Sequence, residues 1–150
     1  MFTDRKDAGS RLAEKLSQYR GKNAVDLALP RGGVAIGYEV ARALKLPLDI
    51  IVARKIGHPA NPEYAICAVD EKGSLLCNEA EIESLDQDWL KEETMRQKNE
   101  ALRRIKVYRN GRMPKKISGK TAILVDDGIA TGFTMRAAIQ SVRRENPREL

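Results

Sequence analysis

Two adjacent carboxylates, Asp126 and Asp127, stand at the end of the apolar run Ala122-Ile123-Leu124-Val125 and are followed by Gly128, Thr131, Gly132 and Thr134. The run suits a strand buried on both faces. Helical spacing returns at Met135, Ala138, Ile139 and Val142, so the unit reads as strand, small-residue loop, helix. Such a loop offers unpaired backbone N–H groups at a helix N-terminus, with the Thr131 and Thr134 hydroxyls beside them, a combination that holds a phosphate. The paired acids cannot bind that same phosphate. They can accept hydrogen bonds from neutral hydroxyls next to it, as a ribose cis-diol would supply. Phosphate plus diol describes a sugar 5-phosphate. The stretch is neither a Walker loop, since no Lys follows the second Gly, nor the GxGxxG fingerprint of dinucleotide sites.

Two further strand ends carry anion-binding residues. Val25 to Leu29 runs into Pro30-Arg31-Gly32-Gly33 ahead of a helix with Val34, Gly37, Tyr38, Ala41 and Leu44 at helical spacing. The glycines let backbone N–H groups approach a ligand, and Arg31 adds a permanent, fork-shaped charge. Leu48 to Ala53 reads as a second strand, delivering Arg54 and Lys55 to its C-terminal end. In an open parallel sheet the C-terminal strand ends share one crevice. The strands Val25–Leu29 and Ala122–Val125 are therefore expected to be neighbours. Residues 57–64, with two prolines and an Asn-Pro step, read as a loop long enough to act as a lid. It contains His58, the sole histidine, either an acid/base or a bystander.

The run from Val125 to Thr134 resembles the phosphoribosyl-pyrophosphate (PRPP) motif of type I phosphoribosyltransferases: an apolar strand, two acids, a small loop, then Thr-Gly-x-Thr. In that resemblance Pro30-Arg31-Gly32-Gly33 is the pyrophosphate loop, where family members often hold a non-proline cis peptide, and the connection after Lys55 is the mobile catalytic loop or lies beside it. The segment Arg54-Lys55-Ile56-Gly57 through Asn61-Pro62-Glu63 to Ala65-Ile66 further resembles a subgroup of bacterial phosphoribosyltransferase-like proteins whose acceptor is undefined.

The resemblance implies an α/β fold, an open Rossmann-like parallel sheet flanked by helices. It implies a Mg²⁺-dependent transfer of the phosphoribosyl group from PRPP to a nitrogenous base or amine, with release of pyrophosphate. Gly128, Ile129, Ala130, Thr131, Gly132 and Thr134 would hold the 5-phosphate, Asp126 and Asp127 the ribose hydroxyls, and Arg31, Gly32 and Gly33 the pyrophosphate. Arg54 and Lys55 would neutralise the leaving group, giving a catalytic set of Arg54, Lys55, Asp126 and Asp127. Mg²⁺ would sit among PRPP oxygens and waters, with no protein metal cage. Purine-salvage members commonly carry an acid just before the Thr-Gly, where this chain has Ala130. Orotate-type members also lack it, so the acceptor stays open. A non-catalytic PRPP sensor or RNA-binding protein on the same fold is the alternative.

Length and composition agree with this frame. The 150 residues, 42% hydrophobic, suit one domain, 1–150. A start without a hydrophobic targeting region and the lack of membrane-length apolar runs lead to the expectation of a cytoplasmic protein. Cys67 and Cys77 fit no metal or redox spacing and read as reduced thiols. The net charge of +6 concentrates in Lys91 to Lys116, where ten basic residues face three acids. That segment suits a solvated face or a polyanion such as RNA, although no aromatic stacking motif accompanies it.

The remaining elements frame the site. Thr3 or Asp4 caps a first helix with Ala8, Leu12, Leu16 and Tyr19 on one face, ending near Gly21. Arg5, Lys6 and Arg11 near its start read as solvated. Ala65 to Val69 and Ser74 to Cys77 predict a hairpin that extends the sheet. Ser84 opens a long additional helix to about Tyr108, polar in its middle, which projects into solvent or packs on a partner such as a second copy. After the motif helix, Pro147 to Leu150 fall where another parallel strand would begin. This reads as a C-terminally short domain whose sheet edge is exposed or covered by a partner subunit, or whose stability suffers.

Overall fold

The computed structural model describes residues 1–150. Its elements in chain order are α1 (Arg5–Lys15), β1 (Ala24–Ala28), α2 (Gly32–Leu44), β2 (Leu48–Ile50), β3 (Ala53–His58), β4 (Asn61–Asp70), β5 (Leu75–Cys77), α3 (Glu79–Ile82), α4 (Gln87–Arg109), β6 (Thr121–Val125) and α5 (Phe133–Arg143), with a 3-10 turn at Ser17–Tyr19. They fall into two compact units: Met1–Ile51 with Arg112–Ile129 and Val142–Leu150, and Val52–Gly111 with Ala130–Ser141.

The first unit is built on a parallel sheet of order β2-β1-β6. β1 and β6 are neighbours as expected, in register from Ala24↔Thr121 to Ala28↔Val125. Both strands are almost wholly buried, which suits their apolar sequences, interrupted in β1 only by Asp26. Ile36, Val40 and Leu44 of α2 pack with Ala13, Leu46, Ile123 and Val125. α1 begins after Asp4, whose carboxylate accepts the Asp7 N–H at 2.8 Å, a side-chain N-cap. It lies close against α2: a Cβ on Gly9 would come 2.6 Å from Glu39 Cβ and 2.9 Å from the Ile36 carbonyl oxygen. The C-terminal segment already adds to the sheet. Thr121 bridges Glu149 in parallel, the Ala122 N–H donates to the Glu149 carbonyl at 2.8 Å, and the Arg148 N–H donates to the Lys120 carbonyl at 2.8 Å. The outer edge of β6 is therefore paired there.

The second unit corrects two sequence expectations. β2 ends at Ile50, and a separate strand, β3, begins at Ala53, so Arg54 and Lys55 lie inside a strand. β3 pairs antiparallel with β4, and β4 with β5, in a sheet of their own; the expected hairpin forms but does not extend the parallel sheet. The stretch assigned to a lid is the β3–β4 hairpin itself. Its register shifts at Gly57, where a Cβ would sit 2.0 Å from the Pro62 carbonyl oxygen. This irregularity is what the prolines signal, a bulge in place of a free loop.

Cys67 and Cys77 are also corrected: directly opposite each other on β4 and β5, with Cα atoms 4.0 Å apart, they form a disulfide. Register put them together where spacing alone matched no motif. The long helix α4 starts three residues later than expected, capped by Asp86, whose carboxylate accepts the Asp88 and Trp89 N–H groups. The short α3 precedes it. Leu90 joins Ile56, Ile66, Val69 and the half-buried Trp89 in this unit's core.

One core residue is out of place chemically. Asp26, in the middle of β1, is fully buried and neither carboxylate oxygen has a hydrogen-bond partner. Burial pushes its pKa up to about 7. Between about pH 4 and 7 the folded protein therefore keeps a proton that the unfolded chain has released, and stability falls as pH rises through that interval. Asp26→Val is expected to flatten this slope and to raise stability at pH 8 by up to roughly 4 kcal/mol, read from urea melts at pH 5 and pH 8. Reduction of the disulfide, which closes a short loop, should lower stability by about 2–3 kcal/mol in the same assay.

Candidate functional site

The register of β1 and β6 brings two loops level. Ala28 pairs with Val125, and the Leu29 N–H donates to the Val125 carbonyl at 2.8 Å, so Pro30-Arg31-Gly32-Gly33 and Asp126-Asp127 leave the sheet side by side. The Pro30–Arg31 peptide is cis. Arg31 is exposed at the N-cap position of α2. An N-terminal helix end and a guanidinium at the carboxyl ends of parallel strands make a place for an anion.

The acids are seated on the glycines. A Cβ on Gly32 would lie 1.8 Å from Asp127 Oδ2, and one on Gly33 would lie 2.8 Å from the Val125 carbonyl oxygen and 3.0 Å from Asp126 Cα. The two glycines thus act differently. Gly32 makes room for a carboxylate, while Gly33 lets the first turn of α2 touch the end of β6. The Gly33 N–H already donates to the Leu29 carbonyl at 3.1 Å, so it holds the turn closed.

The carboxylates differ in environment. Asp126 is half-buried and its Oδ1 accepts the Asp127 N–H at 2.8 Å. Burial, joined by the adjacent Asp127 charge, raises its pKa. Asp127 is drawn the other way by Arg5, whose Nη2 and Nε donate to its Oδ2 at 2.7 and 3.2 Å, holding the carboxyl below its usual range. Sequence reading missed Arg5, placing it among solvated charges. Lying 122 residues from Asp127, it gave no local signal. Only the packing of α1 on α2 carries it there.

The rest of the loop is exposed. Gly128 and Ile129 follow Asp127 in the first unit, and Ala130 and Thr131 open the segment assigned to the second. Gly132 takes φ +82, a left-handed conformation that favours glycine, and its carbonyl accepts the Arg136 N–H at 2.8 Å in the first turn of α5. Thr134 stands in that first turn, as the strand-loop-helix reading expected.

Arg54 and Lys55 are not at a strand end. In the second unit, Arg54 donates to Gln97 Oε1 on α4 at 3.1 Å, and burial lowers its pKa. Lys55 pairs with Glu63 across the hairpin at 3.0 Å. His58 Nδ1 accepts the Ala60 N–H at 3.1 Å and shapes the turn. Part of the positive charge of the basic segment is paired along α4: Arg96 with Glu93, and Arg103 and Arg104 both with Glu100. No group of three or more His, Cys, Asp or Glu side chains is placed to hold a metal ion, and no helix is long and apolar enough to cross a membrane.

A parallel sheet flanked by helices, with a glycine-bearing turn set against paired acids at its carboxyl ends, defines a Rossmann-like α/β protein. The comparisons narrow it: the sequence matches the phosphoribosyl transferase domain family over residues 2–150, and the chain belongs to that family. A Mycobacterium tuberculosis (strain ATCC 25618 / H37Rv) protein named "Putative phosphoribosyl transferase" is 43% identical over 145 residues, 95% of this chain and 33% of that protein. The chain thus spans about a third of the length of the curated relatives it matches. The crystal structure of TT1426 from Thermus thermophilus superposes with a TM-score of 0.78 at 43% identity, covering 98% of this chain and 71% of that one. A purine phosphoribosyltransferase from Pyrococcus horikoshii Ot3 shares the fold at a TM-score of 0.54 and 18% identity, over 99% and 70% of the two chains.

The two glycines offer a direct check on this geometry. Gly32→Ala should displace Asp127 from its seat with little change in melting temperature, since only a side-chain end must move. Gly33→Ala meets backbone and should destabilise the fold by about 1–3 kcal/mol in a denaturant melt.

Proposed function

We propose that this chain binds PRPP with Mg²⁺ and transfers its phosphoribosyl group to a nitrogenous base or amine, releasing pyrophosphate. The observation that carries the reading is the packing of Asp126 and Asp127 onto Gly32 and Gly33, which sets two carboxylates against the first turn of α2 within the first unit. Membership of the phosphoribosyl transferase domain family supports it.

In this reading Asp126 and Asp127 accept the ribose hydroxyls, Arg31 and the adjoining N-terminus of α2 take the pyrophosphate, and the Gly128 to Thr134 loop, including Ile129, Ala130, Thr131 and Gly132, takes the 5-phosphate. The bond from ribose C1 to the pyrophosphate oxygen breaks as a bond from C1 to the acceptor nitrogen forms. The sugar ring carries positive charge between the two events, and the nitrogen gives up a proton. Positioning and leaving-group stabilisation then matter more than covalent catalysis. Two carboxylates without a third ligand suit a Mg²⁺ held chiefly by donor oxygens and water, where it would neutralise the pyrophosphate. Arg54 and Lys55, the residues expected to neutralise the leaving group, are engaged with Gln97 and Glu63 within the second unit.

The acceptor is left as a nitrogen nucleophile. The side chain at position 130 is a methyl, so it supplies no carboxylate for proton transfer to a purine. The ion pairs along α4 leave its face net positive, and the RNA-binding alternative rests on that charge alone.

Pyrophosphate release from PRPP and Mg²⁺ across a panel of bases and amines tests the reading, and at least one acceptor should produce it. Replacing both acids, Asp126→Asn with Asp127→Asn, should weaken PRPP binding at least tenfold by calorimetry. Unchanged affinity in that double variant would remove the diol assignment.

A further inference from the structure

We propose that Arg5 is a positioning residue for PRPP: by holding Asp127 against Gly32, it fixes the second acid in the attitude from which a ribose hydroxyl is accepted. The inference rests on the reading of the cleft as a PRPP site. It adds a residue from the first turn of α1, remote in sequence from every motif segment.

Asp127 needs such a partner. It stands beside Asp126, and two adjacent carboxylates at the end of one strand repel each other unless a cation divides them. Asp126 is steadied locally, through its bond from the Asp127 N–H at 2.8 Å. The Asp127 side chain is one-third exposed, and what turns it onto Gly32 is Arg5. Both guanidinium bonds land on Oδ2, so Arg5 itself does not occupy Oδ1.

Arg5 is itself held in place. Gly9 lies on Ile36 and Glu39, while four residues earlier Arg5 reaches the carboxylate over Gly32, so α1 and α2 run side by side in the same direction. Their N-termini share one end of the unit. The Asp4 cap and the Thr3 N–H bond to Asp7 Oδ2 at 3.0 Å fix the first turn from which Arg5 projects. The Arg5 side chain is 59% exposed, so the pair contributes little to folding stability. Its effect is on where Asp127 points. A lysine, a single point charge, would reach the same oxygen without the two-nitrogen geometry.

A double-mutant cycle in the whole chain tests this, with Mg²⁺-PRPP affinity measured by calorimetry for wild type, Arg5→Ala, Asp127→Asn and the double variant, alongside Arg5→Lys and melting temperatures. Arg5→Ala is expected to weaken PRPP about tenfold with an unchanged melting temperature, and Arg5→Lys to recover part of the loss. In the Asp127→Asn background, Arg5→Ala should cost less than about twofold. Additive losses would show that Arg5 acts elsewhere, and tighter binding by Arg5→Ala would make it a block on the site; either overturns the proposal while the PRPP site stands. Absence of PRPP binding by the wild-type chain would instead overturn the site reading, and this inference with it.

Discussion

The parallel pairing of β1 with β6 is the constraint from which the site follows. Because Ala28 lies opposite Val125, the chain leaves both strands at the same level. Glycines at 32 and 33 then allow α2 to start within contact of Asp126 and Asp127. Shifting that register by one residue would turn every side chain of the strand to the opposite face. Both the anion loop and the acids would lose their relation to each other, whatever the local sequence of either.

Much of this was legible because buried parallel strands announce themselves. Val25 to Leu29, apolar but for Asp26, and the unbroken run Ala122 to Val125 end at Pro30 and Asp126, and helical spacing resumes after each following loop. The hairpin of residues 65–77 was legible from its Asp-Glu-Lys-Gly spacer, which forms a turn with Gly73 at φ +85. Asp4 was legible as a cap for the same local reason.

What was not legible depended on partners far along the chain. Leu48 to Ala53 reads as one strand because nothing in Ile51-Val52 breaks an apolar run. The pairing of Ala53 with Asp70 is what starts a new strand there. The Cys67–Cys77 bond follows from register, and the Arg5–Asp127 pair from helix packing. Asp26 is the reverse case: an acid inside an apolar run that simple alternation would place outward, yet fully buried in a strand covered on both faces.

The β1–β6 pairing also orders events in time. Ala28 and Val125 meet across about two thirds of the chain, whereas β3, β4 and β5 join through successive hairpins closed by short turns. Ring closure over a long segment carries a larger entropic cost than over a short one, and distant pairings form late. During synthesis the hairpin sheet can mature while β1 still waits for its neighbour. The meeting of Gly32 and Gly33 with Asp126 and Asp127 is therefore among the last features to appear, and a nascent chain stopping short of β6 would lack it.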